Sequence, residues 1–361
     1  MATAPLQTSL VAALEVPFSG KECTMELSND IAVGVVSIGG YVASIMTKFS
    51  VLYASEHPKM RSQTDVCCAV AQFYRPVLPA KPITMQLREV SVGNAWSTLR
   101  VELLQGGKLA ASADVIICDF ALPGISLETK WTLLPKPRRV DLLKLEMDGD
   151  PDWVSYHPAF HPDGFRRGHS YARTFIPKDH PVDVATTEQW ICPGWDCLPL
   201  GSCTARRAED KARWTTDMIQ LIIDETLPVH HNLLPQEAGK PPFMGSISGA
   251  LEYAALQKKA RDEGKADWRP LPHDGSKKII LQPVHATLSM STEIKRKLPS
   301  EGVRWLYARS TTKSIVNGRL DIQVLLFNEK MDLIAISNQV NQIIPSTKKN
   351  KKTGKKEMAQ L

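Results

Sequence analysis

An aspartate that closes a helix sits in an unfavourable place, because the C-terminal end of the helix macrodipole repels a carboxylate. Asp224 follows Ile222 and Ile223 at the end of an amphipathic stretch, just such a place. An acid held against the local electrostatics hints at a functional group. A solvent-facing acid beside Glu225 is the plainer alternative. The pair Gly39-Gly40 opens another helix. Its residue type suits a close approach of backbones, and amides at a helix N-terminus can face an anion or an oxyanion. His230 and His231 offer substitute bases, although paired histidines in a connection are more commonly exposed loop residues. His157 and His161 have the spacing of a metal-ligand pair, but Pro158 and Pro162 oppose the regular helix that would bring both rings to one face. Cys192, Cys197 and Cys203 lack the paired spacing of a zinc site and read as loop and core cysteines.

Other chemistries lack their signatures. The chain has no G-x-S-x-G nucleophile elbow, and neither Gly39-Gly40 nor Gly106-Gly107 carries the further glycines of a phosphate or dinucleotide loop. Serine hydrolysis on an α/β-hydrolase scaffold, nucleotide hydrolysis and hydride transfer are therefore unsupported.

The elements around these residues repeat. Leu320 to Ile344 reads as two apolar strands joined by Asn328-Glu329-Lys330, and the second strand turns polar toward Gln339. The same pattern occurs earlier, from Leu99 to Phe120, with Gly106-Gly107 as its turn. Each half has one strong helix pattern: Ile38, Val42, Ile45, Met46 and Phe49 in the first, and Trp214, Met218, Leu221, Ile222 and Glu225 in the second. The second pattern predicts a helix from about Arg206 to Leu227. An internal repeat of helix followed by several strands predicts two similar halves. The expected division is residues 1–125, a Pro-, Asp- and His-rich connecting segment 126–180, and a second half 181–345 carrying an insertion at about 229–280. Within the insertion, Ser248 to Arg261 reads as a helix. A long insertion beside a candidate site is either a lid and specificity element or a surface decoration.

Composition fits an ordinary folded chain of 361 residues with 43% hydrophobic and 23% charged residues. Six lysines between Lys348 and Lys356, against Glu357, place five of the six net positive charges in the tail 346–361, which reads as a disordered basic end. The nearly neutral remainder argues against a nucleic-acid surface. Seven cysteines, an odd number, with Cys67 and Cys68 adjacent in a strand, suggest no disulfide framework and a reducing compartment. The sequence shows no signal-like start and no stretch of membrane-spanning length. An intracellular, cytoplasmic protein is expected, with Ala359-Gln360-Leu361 a distant form of the peroxisomal Ser-Lys-Leu address.

The order and spacing of several marks resemble the double-hotdog acyl-CoA thioesterases, the family of bacterial thioesterase II and the peroxisomal acyl-CoA thioesterases, with its fungal thioesterase-like branch. The marks are Gly39-Gly40-Tyr41-Val42, Phe73-Tyr74-Arg75-Pro76, Arg88 with Gly93-Asn94, and Gln105-Gly106-Gly107-Lys108, over most of residues 30–120 and 185–345. The resemblance implies an α+β double hotdog: two antiparallel sheets, each wrapped around a long central helix, forming an intrachain pseudo-dimer. It further implies a catalytic trio of Asp224, Thr287 and Gln339, with Asp224 as general base and the other two orienting water. Gly39 and Gly40 would bind substrate as an oxyanion amide. By the internal repeat, the first half offers Lys48, Val66 and Val115 in the same three places, so one of two pseudo-symmetric sites would be active. The family follows its Thr with Asp-His, whereas this chain has Leu288-Ser289-Met290.

The function so implied is hydrolysis of an acyl-CoA thioester by activated water, with no metal and no cofactor. Two alternatives stand beside it: a tailoring enzyme of secondary metabolism acting on a polyketide-like acyl chain, and a non-catalytic acyl-binding protein. The expected partner is acyl-CoA or a carrier-bound acyl group, with no nucleic acid. Hotdog proteins associate through their sheets, which extends to this chain the expectation of a homo-oligomer.

Overall fold

The computed structural model describes residues 8–195, 211–236, 239, 242–266, 268–270 and 283–344. The basic tail, Cys197, Cys203 and the Arg206 end of the expected second helix lie outside the described residues.

The first half contains the short helix α1 (Leu10–Ala13), β1 (Glu22–Glu26), the two-residue β2 (Ala32–Val33) and β3 (Val36–Ser37), and then the long helix α2 (Gly39–Glu56). Four long strands follow: β4 (Asp65–Phe73), β5 (Pro82–Val92), β6 (Trp96–Gln105) and β7 (Lys108–Cys118). They alternate buried and exposed positions, as strands with one face on a core do. The β6–β7 turn is Gly106-Gly107 with φ of 58° and 73°, the left-handed pair that a two-residue hairpin requires. Helix α2 is apolar on most sides, and Tyr41, Ile45, Met46 and Phe49 are fully buried beneath the sheet. Each such side chain contributes about 1.5–3 kcal/mol by leaving water.

Segment 126–180 is more than a connection. After α3 (Leu142–Glu146) it supplies β8 (Trp153–Tyr156) and β9 (Ala172–Pro177), which continue the sheet of the second half. That half comprises β10 (Thr186–Pro193), α4 (Ile219–Asp224), α5 (Ile247–Asp262), β11 (Val284–Ile294), β12 (Leu306–Thr311), β13 (Ile315–Val316), β14 (Arg319–Phe327) and β15 (Leu333–Ile344). The strands run β1-β5-β6-β7-β4-β11-β15-β14-β12-β10-β9-β8, all antiparallel, with β13 on β14. The two sheets expected from the repeat thus join edge to edge through β4 and β11, and one apolar core runs beneath both.

This is the α+β double hotdog, with one correction. The second helix is short: a 3-10 turn at Thr216–Met218 leads directly into α4, which ends at Asp224. Trp214 has the right spacing for the helix but instead forms a β-bridge with Val303, and its indole donates to the Ile191 carbonyl. A large apolar side chain can satisfy a helical period while belonging to the segment before the helix. The insertion helix α5 covers the expected Ser248 to Arg261 and begins at the Ser246 cap, whose hydroxyl accepts from Gly249 N–H. It lies against β8 and β9, and Tyr156, Ile176, Ile247, Ala250 and Tyr253 form a small separate core there. Connecting segment and insertion together make a cap on the C-terminal half.

The two central helices lie antiparallel, with the start of α2 against the end of α4. Leu221 N–H donates to Ser44 Oγ, and Lys48 pairs with Asp217. A Cβ on Gly40 would lie 2.4 Å from the Gln220 carbonyl oxygen and 2.9 Å from Leu221 Cα. Gly40→Ala should therefore cost about 3 kcal/mol in urea unfolding by forcing the helices apart. In an unobstructed helix the same change would stabilise by about 0.5–1 kcal/mol, so the sign of the result tests the contact.

Candidate active site

The backbone explains the odd position of Asp224. Its carboxylate lies at the unfavourable end of α4 and at the favourable end of α2, where Gly40 N–H donates to Oδ2 at 2.7 Å. Gly39 is equally close: a Cβ there would be 3.2 Å from the same oxygen and 3.4 Å from the Phe73 ring. The glycine pair thus serves to seat the acid, and the Gly40 amide, expected to face a substrate oxygen, is committed to Asp224.

Thr287 approaches from β11. The strand carries a bulge between Thr287 and Ser289, which leaves Leu288 out of register and turns its side chain toward solvent. Before the bulge, His285 and Thr287 occupy the inner face opposite Ile343 and Asn341. The Thr287 side chain lies close enough to Asp224 to favour its ionised form. Burial pushes the Asp224 pKa up to about 6, and Glu225 adds to the rise, while the Gly40 amide and the Thr287 side chain act in the opposite sense. A carboxylate with that value is ionised at neutral pH yet basic enough to take a proton from water.

Gln339 lies on the inner face of β15, two residues from Asn341, and is nearly fully buried. Its amide nitrogen contacts Met290 Sδ at 3.7 Å and makes no bond to Asp224 or Thr287. The fold therefore joins Asp224, Thr287, Gly39 and Gly40 directly, and places Gln339 beside them.

Two further buried polar residues lie near this group in the chain and across the strands. Gln220, one helical turn before Asp224, and Asn341, the cross-strand neighbour of Thr287, are buried with both amide atoms unpartnered among the described residues. Such groups cost about 1–3 kcal/mol each unless water or a ligand meets them. Helical spacing from Asp224 could have flagged Gln220. Asn341 becomes visible only once the hairpin register is known.

The ladder also locates the second pseudo-symmetric site. Val66 precedes a bulge in β4 and faces Ile117, as Thr287 precedes its bulge and faces Asn341. Val115 faces Ala69 as Gln339 faces Met290. Lys48, four residues along α2 from Ser44, meets the start of the opposite helix at Asp217, the mirror of Asp224 meeting Gly40. The second position thus holds Lys48, Val66 and Val115, without a base or a polar strand partner.

The remaining candidates resolve differently. His157 is a core residue held by Arg269 and the Ser170 carbonyl, while His161 lies apart and accepts from Asp163 N–H. His230 and His231, expected as exposed loop residues, are buried, because the 3-10 turn Val229–Asn232 folds under the cap. Cys23, Cys67, Cys68 and Cys118 are free thiols, and no described helix is long and apolar enough to cross a membrane.

A continuous antiparallel sheet over two antiparallel helices defines a double-hotdog protein. Residues 56–343 match the family of the acyl-CoA thioesterase C-terminal domain, and the chain belongs to that family, whose class of enzyme is the thioester hydrolases. The thioesterase-like protein TwmA of Talaromyces wortmannii is 25% identical over 355 residues, spanning 92% of this chain and 90% of the relative. Among solved structures, a protein assigned as thioesterase II from Thermobifida fusca superposes with a TM-score of 0.60 at 14% identity, covering 94% of this chain and 100% of that one. A hot dog fold protein from Alicyclobacillus acidocaldarius gives 0.56 at 15% identity, covering 93% and 97%.

The raised Asp224 pKa yields a prediction with a definite sign. Ionising this acid costs more in the fold than in the unfolded chain, so its contribution is most favourable at low pH and is lost as pH rises through about 6. Asp224→Asn, whose amide oxygen can still accept from Gly40, should raise the melting temperature at pH 7.5, and the gain should shrink toward pH 4.

Proposed function

We propose that the chain hydrolyses an acyl-CoA thioester to a free acid and CoA, with water as nucleophile. The observation that carries this reading is Asp224 itself, a carboxylate with a pKa near 6 held between the Gly40 amide and the Thr287 hydroxyl. In this mechanism Asp224 removes a proton from water as the oxygen bonds to the thioester carbon. The carbonyl electrons move to oxygen, and the tetrahedral species collapses by breaking the carbon–sulfur bond. The proton held by Asp224 passes to the departing sulfur, which returns the base to its carboxylate form. Thr287 and Gln339 orient the water, and the polar amides of Gln220 and Asn341 solvate the chamber. Positioning a reactant and stabilising developing charge in a site of low polarity account for most of the rate in such a scheme.

A second reading keeps the same residues but releases or cyclises a polyketide-like acyl chain carried by CoA or a carrier protein. Met290, whose sulfur faces the Gln339 amide, favours it, because an amide turned to sulfur is weakly held and free to reorient toward a substrate group.

Release of free thiol from a panel of acyl-CoAs, short to long and branched, tests the main reading. Asp224→Asn should lower kcat about a hundredfold or more, and Thr287→Val about tenfold. In the wild type, kcat/KM should rise with pH through about 6 and level off above, following ionisation of the base. Undiminished turnover by Asp224→Asn would remove the aspartate from the chemistry.

A further inference from the structure

A second group of polar residues lies behind Asp224, and the reaction above does not use it. Glu225, next in the chain, has one carboxylate oxygen bonded to His169 Nδ1, and His169 Nε2 lies 3.3 Å from Arg166 Nη2. Arginine can only donate, so His169 Nε2 accepts, and Nδ1 carries the hydrogen that Glu225 takes. Beside His169 lie three more histidines. The ring of His230 is 4.8 Å from that of His285 and 4.5 Å from that of His231, centroid to centroid. All three are held in the neutral form by burial and by the Arg166 charge.

The group is contiguous with the reaction centre. His285 is the next inward-facing residue to Thr287 on β11, about 7 Å along the strand. Past His230, a cleft of about 410 Å³ opens, with Leu233, Leu234 and Ile315 as its apolar wall and Thr312, Lys313 and Ser314 as its polar one. Among the described residues, both ring nitrogens of His230, Nδ1 of His231 and Oε1 of Glu225 are buried without a partner. His230 is fully buried, so open solvent does not serve it. A purely structural cluster would satisfy its members with one another. These groups point instead to a molecule that brings its own hydrogen bonds.

Resting on the thioesterase reading of the site, we propose that this cluster is the acyl pocket and that its substrate is an uncharged, oxygenated acyl thioester, a hydroxy- or oxo-acyl chain rather than a plain saturated one. Neutral imidazoles both donate and accept, and the free Glu225 oxygen accepts, which matches hydroxyl groups. The same oxygen repels a carboxylate, so a dicarboxylic chain fits poorly despite Arg166. The spacing from Thr287 to His285 places the matched oxygen about five carbon–carbon bonds beyond the thioester. Leu233, Leu234 and Ile315 then take the apolar end.

The test uses decanoyl-CoA and a set of decanoyl-CoAs bearing one hydroxyl at successive carbons from C3 to C8. Calorimetric affinity is measured alongside thiol release. The expected result is tighter binding and about tenfold higher kcat/KM for a mid-chain hydroxyl than for decanoyl-CoA. His230→Leu should shrink or reverse that ratio, and the circular dichroism spectrum and melting temperature of the variant report its folding. Equal or tighter binding of decanoyl-CoA at every hydroxyl position by wild type overturns the pocket assignment without any variant. Hydroxyl-selective binding without thiol release upholds the pocket and rejects hydrolysis, so the two readings fail separately.

Discussion

The contact between Asp224 and Gly40 is the constraint around which this molecule is built. A carboxylate at the end of one helix is stabilised by the start of another, so the two helices must meet antiparallel and end to start. Their backbones must also come close enough that Gly40 has no room for a side chain. In the same arrangement the edge strands β4 and β11 lie side by side above the paired helices. Joining them closes two sheet edges against each other and removes the exposed edges that would otherwise invite aggregation. Fold and site thus share one cause: the arrangement that buries the helices is also the one that holds the acid near neutral pKa.

Much of this was legible in the sequence because it rests on local patterns. Alternation along β6, β7, β14 and β15, with glycine or asparagine at the turns, marks hairpins whatever surrounds them. Asp224 stood out as an acid at the wrong end of a helix, and only the fold shows which N-terminus compensates it. The overlong second helix came from Trp214, whose spacing is helical but whose place is fixed by a bridge to Val303, a tertiary pairing that no local period reveals. His230 and His231 were read as exposed because they sit in a connection. They are buried because their turn packs against the start of α5 and against β11, where Asn232 Oδ1 accepts from Ile247 N–H and the His230 ring meets His285. Asn341 could not be singled out, since its significance lies entirely in its register against Thr287.

The repeat also shows how one polypeptide can specialise two related places. Bulges fall at equivalent points of β4 and β11, and the residues before them are Val66 in one and Thr287 in the other. Backbone geometry is kept while side-chain chemistry diverges. Lys48 at the place of the acid pairs with Asp217 and holds the same helix junction by an ion pair instead of an amide–carboxylate bond. The two junctions thus differ in chemistry, and the cap lies on the half that carries Asp224.

That cap follows from the asymmetry. A carboxylate whose pKa is raised by burial needs a wall that excludes bulk water, and the C-terminal half builds one from the connecting segment and the insertion. A wall of leucines would have served for that purpose alone. Instead its inner side presents His230 and His231, with ring nitrogens that no described residue meets. Carrying buried polar groups without partners lowers stability, and the free protein bears that cost whenever the pocket lacks matching oxygens. Groups of this kind mark a surface shaped by what enters it rather than by what folds it, and His285 links them along β11 to Thr287.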